Sequence, residues 1–174
     1  MAVDAQAFRD VMAGLAMPVT VVTTVDGAGR WHGATLGSVV SLSLEPPLVM
    51  FALGRGTSVH RPVCESERFA ISILTAGQRA VAERFAGDSG GRFDGDVGFL
   101  DGLPVVDGAA GWLVCRRREL VIAGDHTVVI GRIDRALRGE GAAGPLVYHE
   151  RRYHGLGTQA SMPGYQGSYA EATR

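Results

Sequence analysis

Several residue groups in this 174-residue chain have the types that do chemistry, and spacing removes most of them. Gly87-Asp88-Ser89-Gly90-Gly91 spells the surroundings of a serine nucleophile. That chemistry needs a histidine base and an aspartate to orient it, in a fixed chain order. Between His32 or His60 and Ser89 the only aspartate is Asp88, beside the serine itself. A nucleophile elbow also follows a strand and opens a helix; here a helix precedes and glycines follow, so a surface loop is expected. Gly139-Glu140-Gly141-Ala142-Ala143-Gly144 fits G-x-G-x-x-G, yet Pro145 and a β-type run follow where a dinucleotide-binding helix would have to open. The five histidines, at 32, 60, 126, 149 and 154, read as unpaired at i,i+4 on a helix and at no ligand spacing from a carboxylate or cysteine, so no metal site is expected. Cys64 and Cys115 stand alone, without C-x-x-C spacing. What remains is a run of hydroxyls and small side chains from Thr35 to Ser43, and Gly124-Asp125-His126-Thr127.

The elements that would position these groups are mainly strands. Phe8, Val11, Met12 and Leu15 recur at helical spacing over Gln6 to Leu15, and Pro18 ends that helix. Val19 to Val25 is β-branched throughout and reads as a strand covered on both faces. Asp26 to Gly29 is a turn, Trp31 to Thr35 a return strand, and Val39 to Leu44 and Leu48 to Leu53 are two more, broken at Pro46-Pro47. Links this short demand antiparallel neighbours. Thr57-Ser58 suits a helix N-cap. Phe69 to Leu74 is a strand, and Gln78 to Phe85 a helix with Val81, Ala82 and Phe85 on one face. Ala86 to Gly111 reads as loop. Leu113 to Ala123 and Thr127 to Leu137 form a tight hairpin, Leu146 to Tyr148 is a last short strand, and the stretch after Gly157 has no apolar periodicity. The pattern predicts a mainly β fold, a small antiparallel barrel with a few helices, over residues 1–157, followed by a tail at 158–174.

Composition narrows the function. There is no lysine and no asparagine; all 17 basic residues are arginine, against 18 acidic ones, for a net charge of -1. Without lysine there is no P-loop clamp and no Schiff base. The near-neutral balance gives no reason to expect nucleic acid or an acidic membrane surface as partner, and Arg116 to Arg118 is the sole basic run. On a strand its side chains alternate between faces, either solvated or reaching an anionic cofactor. No apolar run approaches a bilayer span, and Met1 to Asp10 lacks the order of a signal peptide, so a reducing cytoplasm is the expected setting.

Three stretches taken in order carry a resemblance. They are Val19-Thr20-Val21-Val22-Thr23-Thr24; Gly33-Ala34-Thr35-Leu36-Gly37-Ser38-Val39-Val40-Ser41-Leu42-Ser43-Leu44-Glu45-Pro46-Pro47-Leu48-Val49; and, after Trp112-Leu113-Val114-Cys115, Gly124-Asp125-His126-Thr127 with Ile130-Gly131. Pro145-Leu146-Val147-Tyr148 and Tyr153-His154 extend the match. This order resembles the flavin reductase-like family, the short NAD(P)H:flavin oxidoreductases with an FMN-binding split-barrel, Greek-key-like fold.

The resemblance implies hydride transfer from NADH or NADPH to FMN or FAD, and release of reduced flavin to a flavin-dependent monooxygenase. It also implies a homodimer with the flavin near the interface. Carried over by position, Val19, Thr20, Thr35, Leu36, Gly37, Ser38, Ser41 and Leu42 would line the flavin, Thr57 and Ser58 would take its phosphate side, and Phe85 would pack nearby. His126 would serve the nicotinamide; read from its residues alone it could equally cap the hairpin turn. The Ser/Thr run could likewise be strand hydroxyls satisfied within the barrel. Gly37 stands where the family commonly has asparagine, and Met17-Pro18 where it often has Thr-Gly. No nucleophile or metal is needed, because the cofactors carry the hard chemistry. The competing reading is a non-catalytic flavin- or haem-binding split barrel, a carrier or sensor.

Overall fold

The structure is a computed structural model and describes residues 3–87, 90–140 and 144–156. In chain order its elements are α1 (Ala5–Ala13), β1 (Met17–Pro18), β2 (Thr20–Val25), β3 (Trp31–Leu36), β4 (Val40–Ser43), β5 (Leu48–Gly54), α2 (His60–Glu65), β6 (Arg68–Ile73), a 3-10 turn (Ala76–Gln78), α3 (Arg79–Ala86), β7 (Val97–Leu100), β8 (Leu103–Val106), β9 (Gly111–Ala123), β10 (His126–Arg138), β11 (Leu146–His149) and β12 (Arg152–Gly155).

Seven strands form one antiparallel sheet in the order β3-β2-β6-β9-β10-β5-β4. Its two outermost strands, β3 and β4, are consecutive in sequence, with only residues 37–39 between them. Four extended Cα–Cα steps reach about 14 Å, so the ends of a seven-stranded sheet must come round to meet each other. The sheet therefore curls into a barrel whose opening lies between β3 and β4. Side chains from both ends fill one interior: Val22, Val49, Phe51, Leu53, Phe69, Ile71, Cys115 and Val129 pack together and are all buried. Phe51 and Phe69 meet edge to face, their centroids 5.3 Å apart. Burial pushes the Cys115 thiol up to about 12. A second cluster, with Val19, Val21, Leu74, Val81, Ala82 and Phe85, seats α3 and the small sheet β1-β11-β12 against the outside of the barrel.

Gly131 interrupts β10 where its pairing with β9 slips by one residue, Ile130 facing Glu119 and Gly131 facing Arg117. A Cβ at 131 would lie 2.3 Å from Phe69 Cζ and 3.3 Å from Cys115 Cβ. The glycine marks a bulge where the core presses against backbone.

Local chemistry departs from the sequence reading at four places. The 86–111 stretch is not all loop: Asp101 and Gly102, both at positive φ, turn β7 into β8, and β8 is fully buried. Its single turn lies within a stretch too glycine-rich to show period-two patterning. A strand after Leu146 to Tyr148, β12, follows a two-residue turn of Glu150 and Arg151 that carries no glycine or asparagine signal. Thr57-Ser58 does not cap α2; Val59 is the N-cap residue, without a side-chain bond, and Thr57 Oγ1 donates to Gly54 O at 2.8 Å. His60 and Cys64 do sit one helical turn apart on α2, with Nε2 and Sγ at 3.6 Å. No group of three or more metal-capable side chains occurs among the described residues. Ser89 and the 158–174 tail lie outside those residues, and no described helix is long and apolar enough to cross a membrane.

The turn between β2 and β3 is organised by Asp26. Its carboxylate accepts from His32 Nε2, Arg30 Nε and the Arg30 and Ala28 amides, each at 2.9 Å. The His32 bond above all, then the Arg30 amide, holds the Asp26 carboxyl well below its ordinary 3.8. A depressed folded-state pKa adds stability that is complete above the ordinary value and is lost as pH falls below it. Asp26→Ala should therefore lower the urea midpoint at pH 7 and pH 5, with the gap from the parent protein closing below pH 3.8. Urea titrations at pH 7, at pH 5 and below pH 3.8 check this; a gap that widens in acid would refute the assignment.

Candidate functional site

Between the open edge of the barrel and the small sheet lies a cleft of about 690 Å³. One wall is Met17, Pro18 and Val19 with Thr35, Leu36 and Gly37, where β3 runs into the connector that crosses the barrel opening. A capping box starts the opposite wall: Thr75 and Gln78 exchange side-chain-to-backbone bonds and aim α3 across the sheet. Burial of Val81, Ala82 and Phe85 on one face of α3 then fixes Arg79 and Glu83, one turn apart, on the cleft face. Tyr148 from β11, Arg151 from the turn, and Arg152, Tyr153 and His154 from β12 also line it. The tyrosine rings meet edge to face at 5.1 Å, and the Arg79 guanidinium lies 5.9 Å from the Tyr153 centroid. Burial, then the neighbouring Tyr148, raises the Tyr153 phenol.

The flavin candidates divide. Val19, Thr35, Leu36 and Gly37 line the cleft. The hydroxyls here are engaged by protein backbone: Thr20 Oγ1 donates to Leu36 O, Thr35 Oγ1 to Ala82 O of α3, and Ser38 Oγ to Ala52 O while accepting from Ala52 N. Each of these three hydroxyls thus has a protein partner, and Thr35 still borders the cleft. The Thr35–Leu36–Gly37 wall thus presents apolar atoms and backbone to the cleft. Phe85 is fully buried, its ring against Gly33, where a Cβ would meet Phe85 Cε1 at 2.9 Å. Ser41 and Leu42 lie exposed on edge strand β4.

Thr57 and Ser58 are exposed and do not line the cleft; Thr57 stands near His126 instead. Gly54 joins the pair, since a Cβ there would lie 3.4 Å from Thr57 Cγ2 and 3.7 Å from His126 Nε2. The Arg55 amide donates to Asp125 O at 2.9 Å, and His126 Nδ1 sits 2.7 Å from Asp125 Oδ1. That histidine lowers the Asp125 carboxyl. The corner and the cleft are joined by backbone: Gly37 lines the cleft, Ser38 is bonded to Ala52, and Gly54, two residues along β5, pairs with His126. Two residues of strand cover about 7 Å.

Sequence reasoning missed the second wall. The helical face Val81-Ala82-Phe85 was legible, and the Arg79/Glu83 pair on the other face was the available signal for a charged lining. Arg151 and Arg152 lay in an unrecognised hairpin.

The fold is a split antiparallel barrel with a cleft whose size is within the range of small-molecule sites and whose rim carries arginines. The residues fit a flavin: an apolar wall with no Cβ at Gly37, aromatic rings opposite, and guanidinium groups for a phosphate. Residues 12–157 match the family model described as flavin reductase like domain, and the chain belongs to that family. It is 46% identical over 156 residues, 88% of this chain and 89% of the other, to an NADH:riboflavin 5'-phosphate oxidoreductase from Streptomyces pristinaespiralis. Among solved structures it is similar to an NADH:FAD oxidoreductase of Streptomyces globisporus in complex with NAD and FAD fragments (32% identity, TM-score 0.84, covering 92% of this chain and 99% of that one). It is similar too to the styrene monooxygenase flavin reductase of Pseudomonas putida (30% identity, TM-score 0.81, covering 88% and 99%).

Proposed function

We propose that the protein is an NAD(P)H:flavin oxidoreductase that passes hydride from a nicotinamide to FMN or FAD and delivers reduced flavin to a monooxygenase. The observation that carries this reading is the convergence of Val19, Thr35, Leu36 and Gly37 on one wall of a single cleft faced by tyrosines and arginines. Bound flavin would supply the hydride acceptor. The chain's own residues have simpler tasks: the Val19–Leu36–Gly37 wall packs a flat ring and excludes water, backbone at 35–37 approaches it closely, and arginines neutralise phosphate. Relatives named for NADH support that donor over NADPH, and those named for riboflavin 5'-phosphate and for FAD support both flavins. The domain would occupy residues 1–157 and the tail 158–174, in a cytoplasmic setting.

A homodimer is supported by the outer face of the barrel. Cross-strand partners share a face, so Val40, Met50 and Ile130 form one row and Ala52, Val128 and Val121 the next. These six apolar side chains point away from the core; Val40 and Val121 are exposed and the other four half-buried. His126 sits at one end of this face, so a partner copy would lie beside the nicotinamide corner.

The test is nicotinamide oxidation by purified protein with FMN, FAD or no flavin. Flavin-dependent turnover is expected; its absence with both NADH and NADPH would leave the carrier or sensor reading. His126→Ala should raise the nicotinamide KM about tenfold, the worth of one lost charged or polar contact, and change the flavin Kd far less. An unchanged nicotinamide KM would remove this role from His126.

A further inference from the structure

Three arginines, 79, 151 and 152, line one cleft, and none of them belongs to the residues that wall the proposed flavin ring. Arg79 engages Glu83 through Nε, and Arg151 engages Asp10 on α1 through Nη2. Arg152 is exposed and makes no ion pair among the described residues. A guanidinium carries five N–H donors, so each of the three keeps most of its hydrogen-bonding capacity for a ligand. The turn that delivers two of them is costly. Glu150 and Arg151, at φ 46° and 60°, are the central residues of a two-residue hairpin between His149 and Arg152. Positive φ at both positions favours glycine, asparagine or aspartate. This chain uses 25 glycines, several at positive φ in other turns, yet places Glu-Arg here. Strain retained with a long cationic side chain on a cleft wall indicates that the side chain has a task there.

We propose that Arg79, Arg151 and Arg152 form a diphosphate subsite, so that the cleft takes a dinucleotide across its arginine wall. A diphosphate offers two adjacent anionic groups, suited to bidentate guanidinium contacts from more than one arginine. FAD and NADH share this group. The inference rests on the flavin reductase reading for its biological ligand, but its first test needs neither flavin nor turnover.

In calorimetric titrations of the full chain, ADP-ribose should bind and adenosine should bind at least about tenfold more weakly, the scale of a charge-assisted contact. Arg151→Gly and Arg152→Gln should each weaken ADP-ribose about tenfold and leave adenosine unchanged. Arg151→Gly relieves the left-handed strain, so its Tm should hold or rise while affinity falls. A purely structural role for Arg151, through Asp10, predicts the reverse: a lower Tm with ADP-ribose affinity intact. Glu150→Gly should raise Tm and keep ADP-ribose affinity. Turnover then separates the two sources. If the variants raise KM for FAD and not FMN, the flavin's diphosphate is held. If they raise KM for NADH and not for phosphate-free 1-benzyl-1,4-dihydronicotinamide, it is the nicotinamide's. ADP-ribose affinity unchanged in both arginine variants, or adenosine binding as tightly as ADP-ribose, would overturn the proposal.

Discussion

Replacing Gly131 by valine should cost about 3 kcal/mol or more, at the upper end of overpacking penalties, and lower Tm by roughly 6–12 °C for a chain of this size. The first added carbon alone would sit 2.3 Å from Phe69 Cζ. Phe69 has no accessible surface and is held edge-on against Phe51, so its ring has nowhere to swing. Backbone movement is opposed by the β9 and β5 pairings on either side of Gly131, opposite Arg117 and Val49. Gly131→Ala should show the same sign at smaller size. Urea and thermal melts measure both; a loss below 0.5 kcal/mol in the valine variant would mean that the bulge is slack.

Gly37→Phe should do the opposite, leaving the fold intact and removing function. Gly37 is not at a positive φ, so an L side chain is conformationally permitted. Its Cβ would touch Met17 at 3.3 Å, at Cβ and Sδ, and the thioether end can yield. The aromatic ring would then occupy the cleft wall assigned to the flavin. Displacing that buried apolar contact is worth about 3 kcal/mol, or roughly a hundredfold in kcat/KM for FMN. The measurement is flavin-dependent NADH oxidation beside a melting curve. Normal turnover with normal Tm would show that flavin does not rest against Gly37.

The strands were legible in sequence because β-branched runs and short links leave few alternatives: Val19 to Val25 could only be a covered strand, and the 113–137 hairpin announces its turn with Gly124, at φ 61°. The hydroxyl run from Thr35 to Ser43 was located but its chemistry was ambiguous, since a strand hydroxyl can face a ligand or bond a neighbouring carbonyl. Thr35 and Ser38 do the latter, as Thr20 does on β2. The resemblance carries the phosphate side to Thr57-Ser58 by position along the chain. Which residues share a cleft is set by long-range packing, and that packing put Thr57 with His126 and brought Arg79, Arg151 and Arg152 to the cleft. The Glu150-Arg151 turn was invisible because its residues are the wrong ones for its geometry.

The strand order also dictates when the molecule can be completed during synthesis. The β9–β10 hairpin is inserted between β6 and β5, strands made some 40 and more residues earlier. Until residues 111–138 have emerged, β5 and β6 each expose a bare row of amides and carbonyls beside Phe51, Leu53, Phe69 and Ile71. Such edges attract other chains, and distant pairings form slowly. The nascent first hundred residues are thus a sticky half-barrel, and the late hairpin is what covers its two bare edges and completes the sheet.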